Sequence, residues 1–282
     1  MIDANTKLIC LMGHPVKHSF SPYIHNYLFD KYNLNYKYVC FDIEQTDIKQ
    51  AINSIKYLKM KGANITIPYK EKVLEYLDEI SFEAKVIGAV NTIKNENGKL
   101  IGYNTDGVGF VKSILDKNYN IKGKKFLILG AGGSAKSIAV ELAKYSPEFI
   151  HIKNRNIENA AQVCNTLNEN FNILTKYSSL PVNKEDIETI DILINTTPLG
   201  MSPNDNTCII DTNLKIQKRI LVCDIVYNPQ ETKLLKWAKR NNMDTISGIY
   251  MLINQAIKSF NIWTDINVEK TDEKEIQKRV GV

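Results

Sequence analysis

The sequence predicts an α/β protein of two domains, and three observations carry that prediction. Its 282 residues exceed the roughly 100–150 of a usual single domain. Short β-branched apolar runs alternate with segments of helical period along most of the chain, the signature of strands joined by helical crossovers. The runs at 125–129, 191–196 and 220–225 are apolar nearly throughout, as expected of parallel strands covered on both faces.

Taken in order, residues 7–12 read as a strand, and Ser19 or Ser21 is placed to cap a helix running to Tyr32. Residues 36–42 read as a second strand, rich in aromatic and β-branched side chains. In 46–61, Ile48, Ala51, Ile52, Ile55 and Leu58 share one helix face. A third strand at 63–67 is stopped by Pro68, a helix follows at 69–77, and strands at 89–94 and 100–103 flank the turn Asn97-Gly98. This opening implies a mostly parallel sheet. A second series follows: strand 125–129, helix 134–145, strand 148–153, helix 157–168, strands 191–196 and 220–225, and helices 232–241 and 248–263. The charged segment 267–282 reads as a surface helix or a frayed tail.

Composition removes several function classes. An apolar fraction of 44% with 24% charged residues argues against disorder. No uncharged apolar run nears the ~20 residues of a membrane span, and the N-terminus lacks the basic region of a signal peptide. The net charge of +5 comes from scattered Lys interleaved with Asp and Glu. No stripe of bases alternates with aromatic residues, so no nucleic-acid partner is expected. Five widely spaced cysteines, with no CxxC, suggest reduced thiols in a cytoplasmic protein with no metal site.

The segment Gly130-Ala131-Gly132-Gly133-Ser134-Ala135 directly follows a strand and opens a helix. The first glycine allows the tight turn, the second a close approach of backbone to pyrophosphate, and the small Ala135 close helix–strand packing. The helix N-terminus offers free N–H groups to phosphate. This points to a Rossmann-type dinucleotide-binding domain. An NAD site usually ends the next strand with a carboxylate that bonds the ribose 2′-OH. Here that strand ends in Asn154-Arg155-Asn156, and Arg155 is one of only four arginines in the chain. Arginine suits bidentate phosphate contacts, so NADP(H) is expected over NAD(H).

Polar residues cluster oddly in the first domain. His18-Ser19-Phe20-Ser21-Pro22 offers two hydroxyls, and Asn64 and Thr66 fall on one face of a strand by period-2 alternation. Lys70 follows, Asn91 sits in another strand, and Asp106 closes the domain. Hydroxyls, amides, one Lys and one Asp at strand ends suit a polyhydroxylated small molecule.

With these residues the chain resembles the shikimate dehydrogenase family. The resemblance runs to about Trp263 and rests on an ordered series: Gly13-His14-Pro15, Ser19-Phe20-Ser21-Pro22, Asn64-Ile65-Thr66-Ile67-Pro68-Tyr69-Lys70, Gly88-Ala89-Val90-Asn91-Thr92, Asn104-Thr105-Asp106-Gly107, the glycine loop, Asn154-Arg155, Asn195-Thr196-Thr197-Pro198-Leu199-Gly200, Asp224-Ile225-Val226-Tyr227-Asn228-Pro229, and Gly248-Ile249-Tyr250-Met251-Leu252 with Gln255. It implies an NADP-dependent interconversion of 3-dehydroshikimate and shikimate on the chorismate route to aromatic amino acids. It implies that Ser19 and Ser21 bind the substrate carboxylate. Asn64, Thr66, Lys70, Asn91, Asp106 and Gln255 would contact the substrate, with Tyr227 nearby. Lys70 and Asp106 would form the catalytic pair. The cofactor would meet Gly130 to Ala135, Asn154, Arg155, Asn156, Thr196, Ile225 and Gly248. The implied layout is a substrate domain of residues 1–105 plus 247–282 and an NADP-binding domain of 106–246, with the C-terminal helix returning to the first domain. The expected assembly is a monomer or homodimer.

The family often has a further basic residue shortly after the Asn-Arg pair; here that stretch is Asn156-Ile157-Glu158-Asn159, which weakens the expected phosphate grip. Three alternatives follow: a quinate or quinate/shikimate dehydrogenase, an idle NADP-binding regulator on the same fold, and a folate dehydrogenase, which the Ser19/Ser21 pair and Asn91 do not suit. If Arg155 holds a 2′-phosphate, Arg155→Ala weakens NADP binding about ten- to a hundred-fold, the worth of one charge-assisted contact. NAD binding stays unchanged, and a titration with each nucleotide checks both.

Overall fold

The computed structural model describes residues 2–17, 19–44 and 46–281. His18, in the two-serine segment, lies outside them. The chain packs as two compact units, one formed by residues up to Thr105 with those from Gln255 onward, the other by Asp106–Asn254. Sequence alone put the second crossing at residue 247. Residues 247–254 group with the second unit, and local bonds explain it: Gly248 N–H donates to Val226 O at 3.2 Å and Asn254 Nδ2 to Gly109 O at 3.3 Å.

The first unit is built on β1 (Lys7–Gly13), α1 (Ser21–Lys31), β2 (Tyr36–Asp42), α2 (Ile48–Tyr57), β3 (Gly62–Ile65), β4 (Glu79–Ile80), α3 (Phe82–Ile87), β5 (Thr92–Glu96) and β6 (Lys99–Tyr103). Its sheet runs β2-β1-β3-β5-β6-β4. β1 pairs parallel with β2 and β3, and β4 with β6; β5 is antiparallel to β3 and β6. The antiparallel part follows from Asn97-Gly98, whose φ angles of 53° and 94° make the tight hairpin turn that these residues favour. Of the expected face of α2, Ile48, Ile52 and Ile55 are buried against Met12, Ala63 and Ile65, whereas Leu58, at the cap just past the helix, is exposed. Each such burial stabilises by about 1.5–3 kcal/mol.

Other local expectations also fail. Asn91, expected within a strand, lies just before β5. The strand around Asn64 ends at Ile65, so Thr66 lies beyond it and shares no strand face with Asn64. The helix expected at 69–77 shrinks to a 3-10 helix at Lys72–Tyr76. The Lys70 carbonyl, which an α-helix would offer to residue 74, instead accepts from Val90 N at 2.8 Å. Neither serine caps α1: the cap position is Phe20, and Ser19 Oγ accepts from Ser21 N at 3.2 Å.

The second unit holds α4 (Asp106–Asp116), β7 (Lys125–Leu129), α5 (Gly133–Ala143), β8 (Phe149–Asn154), α6 (Ile157–Asn170), β9 (Leu174–Ser179), α7 (Lys184–Glu188), β10 (Ile192–Asn195), β11 (Leu221–Asp224), α8 (Lys233–Arg240) and β12 (Asp244–Ile246). The sheet order is β12-β11-β10-β7-β8-β9, parallel throughout. Counted along the unit this is 3-2-1-4-5-6, the doubly wound Rossmann order, whose ligands bind at the carboxyl ends of the strands where the order reverses.

Helix α9 (Gly248–Thr264) starts in the second unit and carries the chain into the first, where α10 (Lys270–Arg279) follows. The charged tail is thus a docked helix: Ile276 is buried, and Asp272 accepts from the Tyr32 hydroxyl at 2.9 Å. Among the described residues no helix is long and apolar enough to cross a membrane, and the five cysteines are free thiols.

Trp263 of α9 fills the space left by a glycine in β3. It is fully buried, and its Nε1 donates to Ile93 O at 2.9 Å. A Cβ on Gly62 would lie 2.5 Å from Trp263 Nε1 and 2.3 Å from Ile93 O. Gly62→Ala is therefore expected to destabilise the protein by about 1–3 kcal/mol through overpacking, read as a lower urea midpoint.

Candidate functional site

In the second unit, backbone pairing collects the residues expected at the cofactor. Lys153, Leu129, Asn195 and Asp224 form one registered row across β8, β7, β10 and β11. The next residues stand at the same edge: Asn154, which ends β8 paired with Ser179 of β9, and Gly130, Thr196 and Ile225, which follow the ends of their strands. Gly130 has φ +110°, a backbone that only glycine adopts readily, and a Cβ there would meet Thr196 Oγ1 at 2.5 Å. Gly132 and Gly133 are exposed at the N-terminus of α5, with open space where a Cβ would point, while Ala135 behind them is fully buried. Ala131 and Ser134, on either side of this glycine pair, are half-buried.

The turn after β8 is shaped by its two asparagines. Asn154 Nδ2 donates to Asn156 O at 2.8 Å, and Asn156 Oδ1 caps α6 by accepting from Glu158 N at 2.8 Å. Arg155 stands exposed between them. The strand ends without a carboxylate, and Glu158 enters only in the first turn of α6.

Sequence reasoning missed a polar knot behind this edge. Asp224 is almost fully buried, and its acceptors are met by Asn195 Nδ2 at 3.0 Å, Val226 N at 3.0 Å and Thr232 Oγ1 at 2.7 Å. Asn195 Oδ1 accepts from both the N–H and hydroxyl of Thr197, and Thr232 caps α8 through Leu235 N. One buried carboxylate thus ties the loops after β10 and β11 to a helix start. Its signal was legible: a carboxylate and an amide each ending an apolar strand. Tyr227 is half-buried just beyond, its phenol pushed up by burial.

In the first unit, Asn64 is buried, with both amide hydrogens engaged. Its Oδ1 accepts from Tyr38 OH at 2.7 Å, and its Nδ2 lies 3.0 Å from Asn91 O, 3.1 Å from Thr92 Oγ1 and 3.2 Å from Ser259 Oγ. Asn91, just before β5, donates from Nδ2 to Thr105 Oγ1 at 2.9 Å and accepts from Thr105 N at 2.9 Å. Thr105 is the last residue before α4, whose first residue is Asp106. Thr66 N donates to Met12 O at 2.9 Å. Lys70 is half-buried, next to Tyr69, whose hydroxyl donates to Ile43 O. Ser19, Ser21 and Gln255 belong to the same unit. His25 stacks on Tyr38 with ring centroids 4.5 Å apart, and burial pushes its imidazole down to about 3, so it packs as a neutral ring.

These features define an α/β protein of two units, the second of Rossmann type. The comparisons with known proteins agree. Residues 11–93 match the family model described as the shikimate dehydrogenase substrate binding domain, and residues 110–232 the one described as shikimate / quinate 5-dehydrogenase. The chain belongs to the shikimate dehydrogenase family. It is 46% identical over 275 residues to the shikimate dehydrogenase (NADP(+)) of Methanocaldococcus jannaschii, covering 95% of this chain and 96% of that protein. A crystal structure of a shikimate dehydrogenase in complex with NADP+ superposes with a TM-score of 0.92 at 42% identity, covering 100% of this chain and 98% of the other. That of the Listeria monocytogenes shikimate 5-dehydrogenase, in complex with shikimate and NAD, gives 0.91 at 31% identity, covering 98% and 97%.

Burial pushes Asp224 up to about 6, against the pull of its three uncharged hydrogen-bond donors. The folded protein therefore holds this proton more tightly than the unfolded chain. Stability from this group is greatest at low pH and falls as pH rises from about 4 to about 6, by on the order of 3 kcal/mol, then levels off. Asp224→Asn should lose that slope, as urea unfolding of both proteins at pH 4.5, 6 and 7.5 would show.

Proposed function

We propose that this protein reduces 3-dehydroshikimate to shikimate with NADPH, reversibly. The observation that carries the reading is the combination of family membership with an intact Lys70 and an intact Asp106, each in its motif. The exposed glycines at the N-terminus of α5 leave room for a pyrophosphate, and Arg155 with no competing strand-end carboxylate suits a 2′-phosphate. Gly130 to Ala135, Asn154 to Asn156, Thr196, Ile225 and Gly248 would hold the cofactor. When bound, NADPH supplies a hydride to the ketone carbon.

The remaining chemistry is proton transfer. As an ammonium, Lys70 stabilises the negative charge growing on the ketone oxygen and donates the proton that makes it an alcohol. In the reverse direction a neutral Lys70 takes that proton. Asp106 is assigned to orient Lys70. Ser19 and Ser21 are assigned to the carboxylate, and Asn64, Thr66, Asn91 and Gln255 to the ring hydroxyls, with Tyr227 nearby. Because Asn64 spends both amide hydrogens inside the protein, its contribution to a bound hydroxyl is the remaining acceptor capacity of Oδ1. The enzyme is assigned to the cytoplasm, as a monomer or homodimer, with no metal and no nucleic-acid or membrane partner.

A quinate/shikimate dehydrogenase is the second reading, favoured by the family description that names quinate beside shikimate. Steady-state kinetics with shikimate and quinate, each with NADP and NAD, separates the two. Turnover of shikimate with NADP, with little on quinate, is expected; no turnover of shikimate with either nucleotide overturns the proposal. Lys70→Ala should lower kcat at least a hundred-fold, about 2.7 kcal/mol of barrier, with substrate affinity little changed.

A further inference from the structure

The first unit contains a buried hydroxyl that the functional reading leaves without a task. Ser259 lies on the part of α9 that belongs to this unit and has no exposed surface. A serine inside a helix can satisfy itself by bonding back one turn. Ser259 Oγ does so, donating to Gln255 O at 3.0 Å. It is also 2.8 Å from Thr92 Oγ1, 3.2 Å from Asn64 Nδ2 and 3.3 Å from Thr105 Oγ1.

Counting hydrogens limits how these contacts are made. A serine hydroxyl has one hydrogen and two lone pairs. With that hydrogen on the Gln255 carbonyl, the two lone pairs of the oxygen face an Asn64 amide hydrogen and the hydroxyls of Thr105 and Thr92, the last of which also reaches Asn91 Oδ1 at 2.9 Å. The other Asn64 amide hydrogen goes to Asn91 O. A chain of hydroxyls therefore runs from Thr92 in β5 through Ser259 to the backbone of Gln255, with the β3 amide attached at its middle. Without the serine oxygen, the Thr92 hydroxyl keeps only Asn91 Oδ1 as an acceptor, 2.9 Å away. The turn of α9 bearing Gln255 then loses this polar link to the strands.

We propose that Ser259 is a positioning residue for the substrate: it fixes the turn that carries Gln255 against the strand that carries Asn64 and the start of β5, next to Asn91. This rests on the substrate-site reading above. The test compares the full-length protein with Ser259→Ala and the near-isosteric Ser259→Cys. Measured are kcat, KM for shikimate, the dissociation constant for NADP, and the thermal midpoint. The expected result is a five- to ten-fold rise in KM for Ser259→Ala and a smaller rise for Ser259→Cys, with kcat within two-fold and NADP affinity unchanged. In a Gln255→Ala background, Ser259→Ala should raise KM by less than it does alone, since part of what it positions is gone. A lowered thermal midpoint with unchanged KM makes Ser259 merely structural and overturns the inference. Equal KM increases with and without the Gln255 side chain also overturn it. Absence of shikimate turnover in the unaltered protein overturns instead the reading beneath it.

Discussion

A side-chain amide taken out of water must have its two hydrogens and its oxygen met, or it costs the fold kilocalories. Two asparagines at strand ends organise their units by this demand. Asn64 draws together Tyr38 of β2, Thr92 at the start of β5, the backbone at Asn91, and Ser259 of α9. Asn195 draws together the carboxylate ending β11 and the loop that follows β10. In each unit the groups so gathered stand at the strand ends from which the candidate site residues project. The same bonds that make burial tolerable therefore set where those residues point.

Asp224 extends this logic to a charge. Its hydrogen-bond partners are all uncharged, so burial dominates and the carboxyl titrates far above its ordinary range. That is a costly way to join two loops to a helix. What it provides is direction: a carboxylate accepts from several neighbours at once, and here one group orients a backbone N–H, an amide and a hydroxyl from three segments.

Much of this was legible in the sequence. The glycine loop, its place between strand and helix, and Arg155 beyond the next strand are readable because backbone sterics and phosphate chemistry leave few alternatives. The long apolar strands and the face of α2 are readable because burial enforces a period. The elements that sequence reasoning passed over lack those signals. β9 is an edge strand with mostly exposed side chains, so no apolar pattern marks it. α3 is six residues long, announced only by Ser81 at its start and Gly88 at its end. The helix expected after Pro68 fails for a reason no local pattern contains: Val90, twenty residues on, takes the carbonyl of Lys70. The role of Ser259 was out of reach for the same reason, since its partners come from three distant stretches of chain.

The order in which residues leave the ribosome gives the Gly62–Trp263 contact another meaning. β3 and β5 are among the first strands synthesised, yet the indole that covers Gly62 and bonds Ile93 comes 170 residues after its carbonyl partner. Every residue of the second unit, Asp106–Asn254, is made in that interval. A nascent chain thus has the whole glycine-loop unit in hand before the first unit can be finished. A chain released early, anywhere before Trp263, leaves the backbone around Gly62 uncovered, a mark by which an incomplete protein differs from a complete one.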